Sequence, residues 1–290
     1  MPFDEFGDTI TVSISLSCNG QTDQMTADVV ELLDGLGLAR VSLVGHSAGG
    51  AIGQTIAQDH PERIRSLVLS ATWAGQDAYF RRCFETRKEL LLHRGFESYW
   101  RASVVMLRPP QWISEHDAQL EEEMKRLAAA PPPTEVLASR IDAIVRFDRR
   151  SRLGEIRCPT LVVVAGDDAL TPAFYSEELA ARIPGAKLAV LRTGGHFAPV
   201  LVPEEYNAAV GGFFVLAPER NLIILIDVRG QPHIIGVEKS AHVGECQECR
   251  PRERCQDVQR GELERVVGFK SGGEFLERDH RLIDRHDALD

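Results

Sequence analysis

The chain has 290 residues, of which 43% are hydrophobic and 26% charged, and its formal net charge at pH 7 is −10. This composition is typical of a globular protein with a full hydrophobic core. The acidic balance argues against a nucleic-acid partner, which would require a basic face, and gives no reason to expect binding to an anionic membrane. No apolar run approaches the roughly 18 residues of a membrane-spanning helix, and the acidic N-terminus differs from the basic start of a secretory signal. We therefore expect a cytoplasmic protein that acts on a small molecule, and a homo-oligomer is compatible with the sequence.

Short β-branched runs alternate with longer amphipathic stretches along the chain, which predicts an α/β fold with a mostly parallel sheet and helices on both faces. Several of the runs lack the polar alternation of a half-exposed strand, so we expect both of their faces to be covered. The predicted strands cover residues 9–16, 41–44, 66–70, 160–164 and 187–191. Helices of the body are predicted at residues 28–36, 51–58 and 177–183.

Residues 76–152 interrupt this alternation with helical periodicity and no good strand. Proline clusters divide the segment into predicted helices at 82–92, 96–106 and 134–147. A helical insertion at one place in a parallel sheet is best explained as a cap over the carboxyl edge of the sheet, where open α/β sheets bind their ligands. We therefore predict a body over residues 1–216 with a cap insertion at 76–152. The charged residues 217–290 are predicted to be a C-terminal extension.

Gly45-His46-Ser47-Ala48-Gly49 matches the G-x-S-x-G pattern of a nucleophile elbow. Five residues with three fixed positions recur by chance, and a glycine-rich turn is the alternative reading. The pattern stands between a β-branched strand that ends at Val44 and a small-residue helix, which is the context that the motif requires. We therefore predict that Ser47 is a nucleophile.

A serine nucleophile needs a base and a carboxylate that orients the base. His196 follows the predicted strand at 187–191 in a glycine-flanked loop, and it is the predicted base. Asp167 and Asp168 follow the strand at 160–164, and the residues alone leave the choice between them open, because either could serve as a turn residue. The order serine, aspartate, histidine is that of α/β-hydrolases.

From about residue 24 to residue 214 the chain resembles the α/β-hydrolases, with Ser47, Asp168 and His196 on the family's motif positions. The family commonly places its acid in an Asp-x-x-Thr-Pro stretch, which favours Asp168. Within the cap, the stretch Arg81-Arg82-Cys83-Phe84, the motif Pro110-x-Trp112 and the run that begins at Arg140 are similar to those of aminoacrylate hydrolases of bacterial pyrimidine degradation. The 3-oxoadipate enol-lactonases are a more distant likeness.

The resemblance implies a cofactor-free serine hydrolase that acts on a small polar ester, lactone, amide or enamine-type bond. It also implies that the backbone N–H of Ala48 binds the oxyanion. We expect Arg82, Trp112 and Arg140 of the cap to contact the substrate, although arginines on amphipathic helices are more often solvated and tryptophans more often pack a cap on its core.

Two departures from the family pattern leave an alternative open. Residues 1–45 contain no histidine, so the His-Gly loop that usually supplies a second oxyanion donor is not recognisable, and we expect at least one early strand to be missing. The alternative function is therefore a catalytically impaired, N-terminally truncated relative that acts as a binding protein. In the tail, His242, Cys246, Cys249 and Cys255 could ligate zinc, but their spacing fits no standard site, and we expect no metal.

Overall fold

The fold is built on a parallel β-sheet. The structure, a computed structural model, describes residues 9–13, 22–215 and 223–227. In this part of the chain six strands pair in the order β1-β6-β2-β3-β4-β5, and every neighbouring pair is parallel. The strands are β1 (Thr9–Ser13), β2 (Val41–His46), β3 (Ile64–Ser70), β4 (Thr160–Ala165), β5 (Lys187–Leu191) and β6 (Ile223–Asp227). The predicted α/β architecture is confirmed.

The central strands are apolar because helices cover both sides of the sheet. All six residues of β2 and all six of β4 are buried. On one face, Leu33 of helix α1, Ile56 of α2 and Leu179 of α7 share a core with Leu43 and Leu67. The nine helices of the described residues are α1 (Thr22–Gly35), α2 (Ala48–Asp59), α3 (Ala78–Leu107), α4 (Pro110–Glu115), α5 (Asp117–Ala128), α6 (Thr134–Arg146), α7 (Ala173–Arg182), α8 (Ala198–Leu201) and α9 (Pro203–Val215).

Helix α9 covers the opposite face of the sheet. Its Tyr206, Val210 and Phe214 are buried against Val68 and Val163 of the central strands. None of the helices that the structure describes combines the length and apolar character needed to cross a bilayer.

The cap consists of α3 to α6, between β3 and β4. The predicted helices at 82–92 and 96–106 are joined in α3, which bends at Gly95 where φ is +80°. A positive φ interrupts the regular helix and costs little energy only for glycine. The interruption predicted between the two helices is therefore present as a bend, and the helix continues beyond it. Helix α5 was not predicted, because its apolar stripe is only Leu120, Met124 and Leu127 among charged residues.

Strand β6 comes from the range that the sequence assigns to a C-terminal extension. It lies between β1 and β2, with Asp227 opposite His46 at the carboxyl end of β2. The division at 216/217 stays a prediction, because most of residues 217–290 lie outside the described residues. The cysteine-containing segment at 242–255 lies outside them as well.

Candidate active site

The turn after β2 holds Ser47 in an unusual backbone conformation. Its φ is +53° and its ψ is −119°, and Ser47 is one of two non-glycine residues with positive φ in the described part of the chain. Such a conformation is costly for a residue with a Cβ and persists only where the surroundings enforce it. The strained turn carries Ser47 at the carboxyl edge of the sheet, immediately before the first residue of α2.

Close packing on both sides enforces this turn. A Cβ on Gly45 would lie 2.4 Å from the carbonyl oxygen of Gly49, so only glycine fits there. A Cβ on Gly50 would lie 2.6 Å from the Cβ of Thr72, whose hydroxyl donates to the Ser47 carbonyl at 2.8 Å. Gly45 of the predicted elbow and Gly50 just after it therefore allow the close contacts that set the serine's position.

The structure brings Ser47, His196 and Asp168 together. His196 Nε2 lies 2.9 Å from Ser47 Oγ, and His196 Nδ1 lies 2.9 Å from Asp168 Oδ2. With the Nδ1 proton directed at the carboxylate, Nε2 is the acceptor for the serine hydroxyl. His196 and Asp168 are each 3% exposed, so the carboxylate acts on the imidazole with little solvent between them.

Asp168 is fixed by the loop that follows it. Its Oδ1 accepts the backbone N–H groups of Leu170 and Thr171, both at 2.9 Å. The Thr171 hydroxyl donates to Oδ2 at 2.8 Å and lies 3.1 Å from His196 Nδ1. These bonds leave the carboxylate little rotational freedom.

Asp167 serves the loop that carries the histidine. Its Oδ1 accepts the N–H of Gly195 at 2.9 Å, and its Oδ2 accepts the hydroxyl of Thr193 at 2.5 Å. Gly195 has a φ of +55°, and a Cβ there would lie 2.8 Å from the Leu107 carbonyl oxygen at the end of α3. The loop is thus held by a carboxylate of the core and packed directly against the cap.

A second histidine packs beside the first. The ring centroids of His46 and His196 are 5.1 Å apart, and His46 Nδ1 lies 3.1 Å from the hydroxyl of Ser70. Burial, together with the positive charge that His196 can carry, lowers the pKa of His46 to about 3. His46 is therefore neutral at physiological pH, and it adds no positive charge next to His196.

The Ala48 backbone N–H is available to an oxyanion. Ala48 is the first residue of α2, where no carbonyl of the helix can accept its proton. Within the described residues this N–H makes no hydrogen bond. The positive end of the helix dipole adds to its suitability for a negatively charged oxygen.

The cap places the three predicted substrate-binding residues differently. Arg82 is exposed on α3, whereas Arg87, further along the same helix, is buried. Arg140 of α6 is half-buried, and its enclosed Nε has no hydrogen-bond partner among the described residues. Trp112 is half-buried on α4 and stacks on His116 at 4.1 Å. Sequence reasoning did not select Arg87, because no pattern separates a buried arginine from the exposed ones around it.

A cavity of about 580 Å³ lies between α5 and the segment that follows His196. Phe197 and Trp112 contribute to its wall together with Arg108, whose guanidinium lies 5.0 Å from the Phe197 ring centroid. Arg108 Nη2 binds both carboxylate oxygens of Glu123 at 3.1 Å. This buried pair joins the residue that follows α3 to the middle of α5, next to the His196 loop.

The parallel sheet carries a serine, an aspartate and a histidine, in that chain order, at its carboxyl edge, and a helical insertion covers this edge. This is the architecture of α/β-hydrolases. The chain belongs to the alpha/beta hydrolase fold family, whose family model matches residues 12–201.

Curated relatives from several bacteria are about 40% identical to this chain. One, named "Putative carbamate hydrolase RutD", is from Azorhizobium caulinodans. It is 42% identical over 190 residues, which are 66% of this chain and 72% of the relative. The protein of the same name from Serratia proteamaculans is 38% identical over 191 residues, 66% of this chain and 72% of the relative.

Solved structures support the same fold. The enol-lactonase from Burkholderia xenovorans superposes with a TM-score of 0.63 at 20% identity, and the match covers 72% of this chain and 92% of that one. A hydrolase from Pseudomonas aeruginosa gives a TM-score of 0.60 at 29% identity, covering 68% of this chain and 73% of that one. The comparisons establish a hydrolase of this family.

Proposed function

We propose that this chain is a cofactor-free serine hydrolase in which Ser47 is the nucleophile, His196 the base and Asp168 the acid that orients it. The observation that carries this proposal is the continuous chain of two 2.9 Å contacts from Ser47 Oγ through His196 to Asp168. A serine hydroxyl at its ordinary pKa is a weak nucleophile, and a histidine at this distance is the group that activates it.

In the first half of the reaction, Ser47 Oγ attacks the carbonyl carbon of the substrate while its proton moves to His196 Nε2. Asp168 stabilises the imidazolium that forms and keeps the ring in the required tautomer. The Ala48 N–H donates to the oxygen on which negative charge develops. One such donor typically contributes about 3 kcal/mol to stabilising the transition state.

In the second half, the imidazolium gives its proton to the leaving group and an acyl-serine remains. His196 then removes a proton from a water molecule, which attacks the acyl carbon and frees Ser47. No step requires a metal or an organic cofactor, because the histidine performs every proton transfer.

The proposed substrate is a small acidic molecule with an ester, lactone, amide, carbamate or enamine-type bond. Carbamate hydrolysis is the activity that the relatives' names give, and the likeness of the cap to aminoacrylate hydrolases points to an intermediate of pyrimidine degradation. We propose that Trp112 and Arg140 contact the substrate from the cap. The exposed position of Arg82 gives no support for such a role.

The test is hydrolysis of an activated short-chain aryl ester by the purified protein beside Ser47→Ala. We expect turnover by the wild type and at least a thousandfold lower rate for the variant, because removing the nucleophile removes the covalent pathway. Small carbamates and acidic enamines are then compared by kcat/KM. A folded wild type that is no faster than Ser47→Ala would overturn the proposal.

A binding-only role is the second candidate function. One observation favours it. The described residues offer one recognisable oxyanion donor, the N–H of Ala48, whereas the family commonly uses two donors. A protein of this kind would bind small acids without turning over any ester.

A further inference from the structure

Two arginines of the cap point into its interior. Arg87 of α3 is 7% exposed, and Arg140 of the facing helix α6 is half-buried, with its Nε enclosed. On the outside of the same helix pair, Lys88 of α3 binds Asp142 of α6 at 2.6 Å, so one charge of each helix is paired there.

Every partner of Arg87 is uncharged. Its Nε donates to Ser103 Oγ at 3.0 Å, and its Nη2 donates to the hydroxyl of Tyr99 at 2.9 Å. Its guanidinium carbon lies 5.0 Å from the ring centroids of both Phe84 and Tyr99. These contacts fix the orientation of the guanidinium, and none of its partners among the described residues supplies a negative charge.

Arg140 lies on α6, which packs against α3, the helix that carries Arg87 and Tyr99. Burial lowers the pKa of Arg140, and the neighbouring Tyr99 opposes that shift. Its Nε is buried and has no acceptor among the described residues. Within the part of the chain that the structure describes, no carboxylate lies within 4 Å of either arginine.

One apolar cluster connects the surroundings of Arg87 and Arg140 with those of Ser47. Tyr99 and Phe84 belong to an apolar cluster between cap and core, and that cluster also contains Phe197 and packs against Ala48. The arginines lie on the cap side of this cluster, and the residues that follow the nucleophile and the base lie on its core side. A ligand held by the arginines would direct the rest of its structure toward the catalytic edge of the sheet.

We infer that Arg87 and Arg140 form a binding site for a small carboxylate-class anion inside the cap. A buried guanidinium and a half-buried one without a carboxylate are unfavourable alone. The N–H groups of Arg87 that Ser103 and Tyr99 leave unused, together with those of Arg140, can donate to the two oxygens of one carboxylate. This inference rests on the proposed function in one respect, since the anion is taken to be the acid group of the molecule that Ser47 attacks. The site would make substrates with a free acid group bind better than neutral analogues.

Binding is measured first in Ser47→Ala, so that turnover plays no part. Propionate and its neutral isostere propionamide are compared by thermal melting at constant ionic strength. We expect propionate to raise the melting temperature and propionamide to leave it unchanged. Arg140→Met should abolish the propionate effect, while Arg82→Met, which removes an exposed arginine of α3, should keep it.

Arg87→Lys retains a positive charge without the forked donors, and it should bind propionate at least tenfold more weakly. Arg87→Lys is used instead of Arg87→Met because loss of this buried charge could prevent folding. Arg87→Lys and Arg140→Met together test whether the two arginines bind propionate. A propionate effect that is the same in Arg140→Met and in Arg82→Met, or no effect in any protein, would overturn the inference.

Kinetics provide the second readout, with the charged half-ester of a short dicarboxylic acid beside its neutral diester. In Arg140→Met we expect KM for the charged ester to rise about tenfold or more, with KM for the neutral ester unchanged, because a lost charge-assisted hydrogen bond costs that much. Equal changes for both esters would contradict the inference. Ser47-dependent turnover without propionate binding would refute this site alone, and propionate binding without turnover would refute the proposed function alone.

Discussion

Asp167 and Asp168 are adjacent in the chain, yet their carboxylates hold two different parts of the same loop. Asp168 lies 2.9 Å from the ring of His196, and Asp167 accepts the N–H of the preceding residue, Gly195, also at 2.9 Å. One carboxylate therefore acts on the imidazole and the other on the backbone that carries it.

The two aspartates should respond differently to the same substitution. Asp168→Asn removes the charge that stabilises the imidazolium, and we expect kcat to fall by roughly 10³–10⁴ while the protein stays folded. Asp167→Asn keeps an acceptor for Gly195 and should lower kcat by about tenfold or less. Ester hydrolysis and a melting curve of each variant provide the comparison, and equal losses of kcat would contradict the assignment of Asp168.

Removing one partner of the buried ion pair of Arg108 and Glu123 should destabilise the protein far more than removing one partner of the exposed pair of Arg101 and Glu121. The Arg108 and Glu123 side chains are only 7% and 11% exposed. Arg108→Met leaves a buried carboxylate unpaired, which should lower the free energy of unfolding by about 3 kcal/mol. Arg101→Met should cause a much smaller loss, since exposed pairs are screened by water and salt.

Denaturant unfolding of both variants measures this difference. The double variant Arg108→Met with Glu123→Leu should recover most of the lost stability, because no uncompensated charge stays buried. If Arg108→Met were no more destabilising than Arg101→Met, the pair would not hold the cap as described.

His46 should make the protein less stable in mild acid. The unfolded chain protonates this histidine near its ordinary pKa of 6.5, whereas the folded chain resists protonation down to about pH 3. Between these values the unfolded state binds more protons, so stability is lost as the pH falls below 6.5. The titration of His46 lowers the free energy of unfolding by at most about 1.4 kcal/mol for each pH unit in this range.

Urea unfolding at pH 7 and pH 5 tests the role of His46. Relative to the wild type, His46→Gln should lose less stability between the two pH values. An identical pH dependence in the two proteins would show that His46 does not titrate as the structure requires.

The serine turn should not tolerate a methyl group at Gly45. In Gly45→Ala the new Cβ would lie 2.4 Å from a backbone oxygen, so we expect misfolding or loss of all activity. Gly35→Ala is the matched control, because a Cβ there meets nothing within 4 Å and φ is not positive. Soluble yield and esterase activity distinguish the two, and an active, stable Gly45→Ala protein would contradict the packing described.

The strands could be predicted because buried parallel strands consist of continuous runs of apolar, mostly β-branched residues, as in Thr160–Ala165. The positions of Ser47 and His196 at the carboxyl ends of strands followed from the same pattern. Choosing Asp168 over Asp167 required knowledge of the family, because two adjacent carboxylates in one loop look alike until their side-chain directions are known. Three-dimensional packing supplies those directions.

Other features depend on contacts that no local pattern encodes. The burial of Arg87 depends on Tyr99, Ser103 and Phe84 closing around it, and an arginine on a charged helix gives no sign of this. The place of β6 beside β2 depends on pairing between residues about 180 positions apart, which single-strand propensity cannot indicate.

The most direct test of the central claim is covalent labelling of the purified protein with a fluorophosphonate, followed by peptide mass spectrometry. If Ser47 is activated by His196, the wild type should carry one label on Ser47, and His196→Ala should react at least a hundredfold more slowly. Labelling at an equal rate in both folded proteins, or no label on Ser47 at all, would contradict the account and favour a binding-only role.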